Sequence, residues 1–219
     1  MVPRFDSAAN RIDPEVRASR MPGRPMTIAT SSVAATPDET LVELARRGDL
    51  PAREELFRRS RDVAYRVAYR LLGDAEDAMD AVQDGFIKAF LHLDDFDGRS
   101  QFRTWLLRIV TNAARDAGRK RRRRPTVRLA ESESGGVEVG IEVDPALGLH
   151  RDDLRKALDF ALDRLSPTIR TTFVLFAEGG LTYKEIADCQ GVAIGTVMSR
   201  IHAARQKLQA SLEGADRVS

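Results

Sequence analysis

The chain has 219 residues, 42% hydrophobic and 6% aromatic, with 35 Lys plus Arg against 33 Asp plus Glu and a formal net charge of +2. That length accommodates one or two small domains, and the near balance of charge excludes a uniformly basic nucleic-acid coat; the charges are instead segregated along the chain. A single cysteine, Cys189, excludes an intramolecular disulfide and argues against a cysteine-based metal site. No apolar run is long enough to span a membrane, and the arginines near the N-terminus have no apolar segment behind them, so no secretory signal is expected.

Residues 1–35 scatter Pro3, Pro14, Pro22 and Pro25 among few large apolar side chains and are predicted to be a disordered tail. Thr36-Pro37-Asp38-Glu39 reads as a capping box with proline at the first helical position. Leu41, Leu44 and Ala45 face inward from that helix, and Gly48 ends it. A second helix starts at Pro51, buries Leu56, Val63, Val67 and Leu71, and stops at Gly73. Asp74 caps a third, whose Met79, Val82, Phe86, Phe90 and Leu93 recur at helical spacing. Its other side carries Asp77, Asp80, Gln83, Asp84 and Lys88. Such acids can be a solvated face, metal ligands or a docking face for a basic partner protein. No histidine joins them, and oxygen-only sites usually draw on loops as well, which disfavours metal.

The loop Asp94–Ser100 lacks the alternating oxygen ligands and closing glutamate of a calcium loop. Ser100 is the expected cap of a fourth helix with Phe102, Trp105, Leu106, Ile109, Val110 and Ala113 as its apolar stripe. Arg103, Thr104, Arg108, Thr111, Asn112, Arg115 and Arg119 cover the rest. Arginines, an amide and hydroxyls beside aromatics suit single-stranded nucleic acid, although the spacing of Trp105 makes it a core residue before a stacking platform. The basic run Arg119–Arg124 extends that face toward phosphates. Residues 125–149, rich in serine, glycine and glutamate, read as a flexible acidic linker. Helical periodicity resumes near His150 with Leu154, Ala157, Leu158, Ala161, Leu162 and Leu165; Ser166-Pro167 opens a further helix, and Gly179-Gly180 breaks it.

Leu181 to Leu208 reads as a helix-turn-helix. Thr182 and Glu185 form a capping box, Gly191 falls at the inter-helix turn, and Val197, Ile201, Ala204 and Leu208 make one stripe on the second helix. Its remaining faces carry Thr196, Ser199, Arg200, His202 and Arg205, groups able to hydrogen-bond base edges and phosphates. A helical hairpin with a solvated face explains the periodicity alone; the order of cap, glycine and apolar anchors favours DNA binding.

Three stretches together carry a family resemblance: DAEDAMDAVQDGFIKAF (Asp74 to Phe90), FRTWLLRIVTNAARDAGRKRRRR (Phe102 to Arg124) and LTYKEIADCQGVAIGTVMSRIHAARQKL (Leu181 to Leu208). Over Thr36 to Leu212 the chain resembles a bacterial RNA polymerase sigma factor of the sigma-70 family, extracytoplasmic-function (ECF) subfamily. The resemblance implies an all-α fold of two small helical domains: a region 2 bundle over 36–124 and a region 4 helix-turn-helix over 150–212. The linker at 125–149 would join them, with a frayed tail at 213–219. It implies no enzyme activity, no catalytic residue, no cofactor and no metal. The implied partners are core RNA polymerase (β′ clamp helices and β flap), promoter DNA and an anti-sigma factor, in the bacterial cytoplasm at the nucleoid and without membrane insertion.

Carried over by position, Asp77, Asp80, Gln83, Asp84 and Phe86 would dock on the clamp helices. The loop with Asp97 and Arg99 would hold a flipped base of the minus-ten element. Arg103, Trp105, Arg108, Asn112, Arg115 and Arg119 would guide and melt that element. Thr182, Lys184, Thr196, Ser199, Arg200, His202 and Arg205 would bind the minus-thirty-five element. Ala193 departs from the serine or proline usual in the family, so a weak cap is expected there. A helix-turn-helix regulator acting without polymerase is the main rival and leaves Asp74 to Arg124 unexplained. A magnesium enzyme built on Asp77, Asp80 and Asp84 lacks any phosphate loop. An adaptor that only sequesters partners predicts that Arg200 is dispensable.

Overall fold

The computed structural model describes residues 35–123 and 158–216. Residues 1–34 of the expected 1–35 tail, the linker at 125–149, and Leu154 and Ala157 of the helical stripe lie outside those residues. Within them the chain is helical, with no strand.

Helix α1 spans Asp38–Arg46, α2 Leu50–Leu72, α3 Ala75–Leu91 and α4 Phe102–Arg123, with one 3₁₀ turn at Leu93–Asp95 between the last two. The N-cap of α1 is Pro37, one residue after the Thr36 expected there; it makes no side-chain cap bond, and the acids Asp38 and Glu39 complement the first turn. Asp49 and Asp74 do cap α2 and α3, accepting from Ala52 N at 2.8 Å and Asp77 N at 2.9 Å. Gly73 closes α2 at φ 69°, in the left-handed region where a Cβ is strained.

The four helices bury Leu41, Leu56, Val63, Val67, Val82, Phe86, Phe102, Leu106 and Val110 in one core. Two sequence expectations shift by one residue. Met79, placed on the inner stripe of α3, is 56% exposed, and Ala78 is buried in its stead; Leu72 rather than Leu71 closes the stripe of α2. The cause is close helix packing. The small residues buried on α3 are Ala78, Ala81, Gly85 and Ala89, and a Cβ on Gly85 would lie 2.6 Å from Val110 Cγ2 on α4. At that separation the small side chains define the inner face, and the bulky Met79 turns outward.

The second module comprises α5 (residues 158–163), α6 (Pro167–Ala177), α7 (Tyr183–Gln190) and α8 (Ile194–Asp216). Ala161, Leu162 and Leu165 pack against Ala204 and Leu208. Helix α8 continues to Asp216, past Leu212 where fraying was expected.

The modules are packed together. A continuous apolar cluster runs from the first bundle through Leu175, Leu181, Ile186, Val197 and Ile201, and Gly179 backs onto Leu107. Polar ties cross the same junction. Arg70 on α2 pairs with Asp159 and with Glu178, the latter at 3.1 Å. Arg170 donates through Nε to the Arg70 carbonyl at 2.9 Å, and Thr104 on α4 donates to Glu185 on α7 at 2.7 Å.

Candidate nucleic-acid and docking interfaces

On α3, Asp80, Gln83 and Asp84 are exposed. Asp77 is half-buried and bonded by Arg121 at 2.9 Å. Phe86 is a correction to the sequence reading: at 4% exposed it is a core residue, 4.7 Å from the Phe57 ring and 6.0 Å from Phe90, with no side chain left to offer a partner. The apolar part of this surface was missed from sequence. Met79, Ile87 and Leu91 are 56%, 51% and 72% exposed, with Phe57 at 40% beside them. Met79, Gln83, Ile87 and Leu91 recur every fourth residue, and that second stripe was the available signal. Among the described residues no group of three or more His, Cys, Asp or Glu could hold a metal ion.

The loop before α4 turns at Gly98, φ 72°. Asp97 accepts from the Arg99 backbone N–H at 3.0 Å and pairs with its guanidinium, which holds the Asp97 carboxyl below the usual range. Both side chains are exposed. Trp105 is half-buried, 5.2 Å from Phe96 and 6.0 Å from Phe102, so its ring is mainly a wall of the core. Asn112 and Arg119 are exposed, and Arg119 is paired with Asp116.

Arg103, Arg108 and Arg115 are only half-exposed, because α7 lies against α4. Arg103 Nε is buried without a hydrogen-bond partner. Burial pulls the Arg115 guanidinium below its ordinary value; the Cys189 thiol opposes this, while Arg119 and Arg200 add to it. Burial likewise pushes the Cys189 thiol up to about 11, against the charges of Arg108 and Arg115 and with that of Asp188. A cavity of about 370 Å³ opens where the loop meets α7, lined by Arg99, Gln101, Thr104, Lys184 and Glu185.

The helix-turn-helix is built as the sequence predicts. Thr182 Oγ1 accepts from Glu185 N at 3.3 Å, Glu185 accepts from Thr182 N at 2.9 Å, and Gly191 turns at φ 65°. Burial opposes ionisation of Glu185, but the Thr182 backbone N–H, the Thr104 and Thr182 hydroxyls and the charge of Arg103 outweigh it and hold the carboxyl below its ordinary value. Thr182, Lys184, Ser199, His202 and Arg205 are exposed, and Thr196 is half-buried. Arg200 is half-buried and donates to Gln190 Oε1 at 2.8 Å; Arg205 lies over the Phe176 ring at 5.4 Å.

The chain matches known proteins over both modules. The family model for Sigma-70 region 2 matches residues 56–124, and that for Sigma-70 region 4 matches residues 155–208. The ECF sigma factor SigE of Mycolicibacterium smegmatis is 38% identical over 161 residues, covering 73% of this chain; the chain spans 61% of that relative, less than two thirds of its length. The sigma-H factor of Pseudomonas aeruginosa is 33% identical over 181 residues, 80% of this chain and 94% of the relative. CnrH, solved in complex with the cytosolic domain of CnrY, superposes with a TM-score of 0.61 at 29% identity, over 81% of this chain and 97% of CnrH. The sigma factor RpoE of Bartonella quintana, solved with the anti-sigma factor NepR, gives 0.55 at 25% identity, over 73% and 96%. With both regions matched in order and full-length relatives above 30% identity, the chain belongs to the ECF subfamily of sigma-70 RNA polymerase sigma factors.

Proposed function

We propose that this chain binds core RNA polymerase and directs promoter-specific initiation, and that an anti-sigma factor holds it inactive until a signal releases it. One observation supports this reading above the others: a single chain carries two nucleic-acid faces of different kinds. The face of α4 sets Arg103, Arg108, Asn112 and Arg115 beside an aromatic cluster, which suits unstacked strands. The outer face of α8 is the second element of a helix-turn-helix, which suits duplex DNA. A regulator acting without polymerase has no use for the first.

In this reading residues 36–124 are the region 2 domain and 150–212 the region 4 domain. Asp80, Gln83 and Asp84, with the exposed Met79, Ile87 and Leu91, form the polymerase-docking surface, where charge sets orientation and apolar area sets affinity. Region 4 would lean on the β flap. Bases that leave the stack at the minus-ten element are captured by the loop at Asp97 and Arg99 and by α4, offsetting an unstacking cost of a few kcal/mol. No covalent chemistry, metal or cofactor takes part, and the protein works in the cytoplasm at the nucleoid. The packing of α7 on α4 supports an inactive closed form, since Arg103, Arg108 and Arg115 become fully available to a strand only after the modules part, while Asp97, Arg99, Asn112 and Arg119 are already exposed. Among similar chains, the Bartonella quintana RpoE was solved with an anti-sigma factor.

Run-off transcription with purified core polymerase, on DNA from upstream of this protein's own gene, tests the reading. The expected result is a discrete transcript that requires this chain and disappears with Asp80→Lys and with Arg200→Ala. Specific duplex binding without any complex with core polymerase would replace the proposal with the plain helix-turn-helix regulator.

A further inference from the structure

A glycine inside a helix gives up backbone freedom without packing anything in return. At two positions in this chain the reason for it is visible. A Cβ on Gly85 would strike Val110, and Gly191 turns through the left-handed region. Gly195, in the first turn of α8, has neither reason. Its φ is not positive, it is exposed, and a Cβ built there meets nothing within 4 Å.

The surface around it is also out of place. Ile194 and Met198, one turn apart and flanking Gly195, are 48% and 52% exposed. They are the large apolar side chains that the helix-turn-helix leaves in water among the described residues, while Val197 and Ile201 fill its core. Exposed Ser199 and His202 continue the same surface with polar groups. Nothing among the described residues uses a bare backbone bordered by two apolar side chains. A body approaching from outside would, with its close-contact point at Gly195 and an apolar feature beside it.

We infer that Gly195 lets α8 seat closely in the major groove, and that Met198, with Ile194 beside it, reads a thymine by packing on its C5-methyl group. The inference rests on the reading of α8 as the helix that contacts the minus-thirty-five element. The thymine methyl is the one apolar group on the major-groove edge of the base pairs, so an apolar side chain there selects thymine where an arginine or lysine would select guanine. The flexible thioether of methionine fits an irregular apolar contact of this size.

The test uses holoenzyme reconstituted from core polymerase and the full chain, as wild type, Met198→Ala and Gly195→Ala. Each selects from duplexes randomised across the upstream promoter element. Deoxyuridine then replaces each selected thymine in turn, which removes the methyl and nothing else. At one position uridine is expected to weaken wild-type binding about fourfold, the worth of one buried methyl. The same replacement should cost Met198→Ala nothing. Gly195→Ala is expected to weaken binding about tenfold or more at an unchanged or higher Tm, because alanine is the better helix former. A glycine kept for folding would move both readouts down together. Uridine tolerated at every position by the wild type, or a penalty that persists in Met198→Ala, overturns the inference while the sigma reading stands. If wild-type holoenzyme enriches no sequence, the sigma reading falls and this inference with it.

Discussion

The two faces proposed to bind nucleic acid differ in how far the chain itself hides them. On α4, Arg103, Arg108 and Arg115 are half-buried under α7, and the Cys189 thiol beneath them is pushed up to about 11 by burial. On α8, Ser199, His202, Met198 and Arg205 face water, and only the flank with Thr196 and Arg200 turns inward. A helix that would read duplex DNA can do so by surface contact. One that would receive unstacked bases must present pockets and desolvated arginines, and those same features make a good surface for another helix. The α4 face proposed for the minus-ten element is therefore the one that self-docking partly covers, at Arg103, Arg108 and Arg115.

The largest expected effect tests whether the covered face depends on its own bundle. Phe102 is 2% exposed at the start of α4, against Phe96 and Trp105. Phe102→Ala should cost about 3–5 kcal/mol in chemical denaturation. It should also speed alkylation of Cys189, because the α4 surface covering that thiol loses its support. Cys189 protection that survives in the variant would show that α7 hides the thiol without help from α4.

Next comes the junction itself. Arg70 joins Asp159 and Glu178 and lends its carbonyl to Arg170, with its own side chain 16% exposed. Arg70→Ala takes a cation from Asp159 and one of two from Glu178, which keeps Arg66 at 3.6 Å. It should loosen docking by about 2 kcal/mol, discounted because Asp159 and Glu178 are more exposed than Arg70. Alkylation of Cys189 reads the open fraction, so its rate should rise about thirtyfold. An unchanged rate would mean that the apolar cluster, the Arg170 bond to the residue-70 carbonyl and the Thr104–Glu185 bond hold the modules without these ion pairs.

These ties were not legible in the sequence, and the reason is separation along the chain. The capping box of Thr182 and Glu185, the turn at Gly191 and the inner stripe of α8 are local features that obey fixed offsets, so they could be read directly. Thr104 and Glu185 are 81 residues apart, and Arg70 and Glu178 are 108 apart; nothing at either end marks the other. The error on α3 has a different origin. Spacing places Phe86 correctly in the core, and only its position in the family pattern makes it docking surface; Met79 is placed inward, whereas the smaller Ala78 is the residue buried there. Small residues carry little hydrophobic signal and yet decide which face can approach.

The Thr104 hydroxyl is a finer probe of the same junction. Its bond to Glu185 at 2.7 Å is one of those that hold that carboxyl below its ordinary value. Thr104→Val keeps the shape and removes the donor. It should cost docking about 1.5 kcal/mol, near a tenfold rise in Cys189 alkylation, with the capping box and the α8 face intact. Acid acts in the same direction. The Glu185 pKa is depressed in the docked chain, so its contribution is full above the ordinary carboxylate range and is lost as the pH falls below it.

The smallest effect sharpens the comparison by lying wholly on one side of it. Glu55 on α2 is 8% exposed and accepts from Arg58 Nε at 2.8 Å and Arg59 Nε at 2.7 Å. The Arg58 hydrogen bond is the main cause that lowers its pKa from 4.5 to about 2, burial working against it and Arg59 with it. A depressed carboxylate stabilises the fold fully above its unfolded pKa and loses that contribution as pH falls through the folded one. Titration from about pH 4.5 down to about 2 should therefore erode the stability of the wild type more than that of Glu55→Gln. At neutral pH the substitution should cost about 1 kcal/mol, kept small because the Arg58 side chain is 63% exposed. Because Glu55 touches only its own bundle, Cys189 alkylation in Glu55→Gln should match the wild type at pH 7. If it rises with the loss of stability, the opening that alkylation reads is unfolding of the first bundle rather than parting of the two modules, and the docked junction loses its role as the gate to α4.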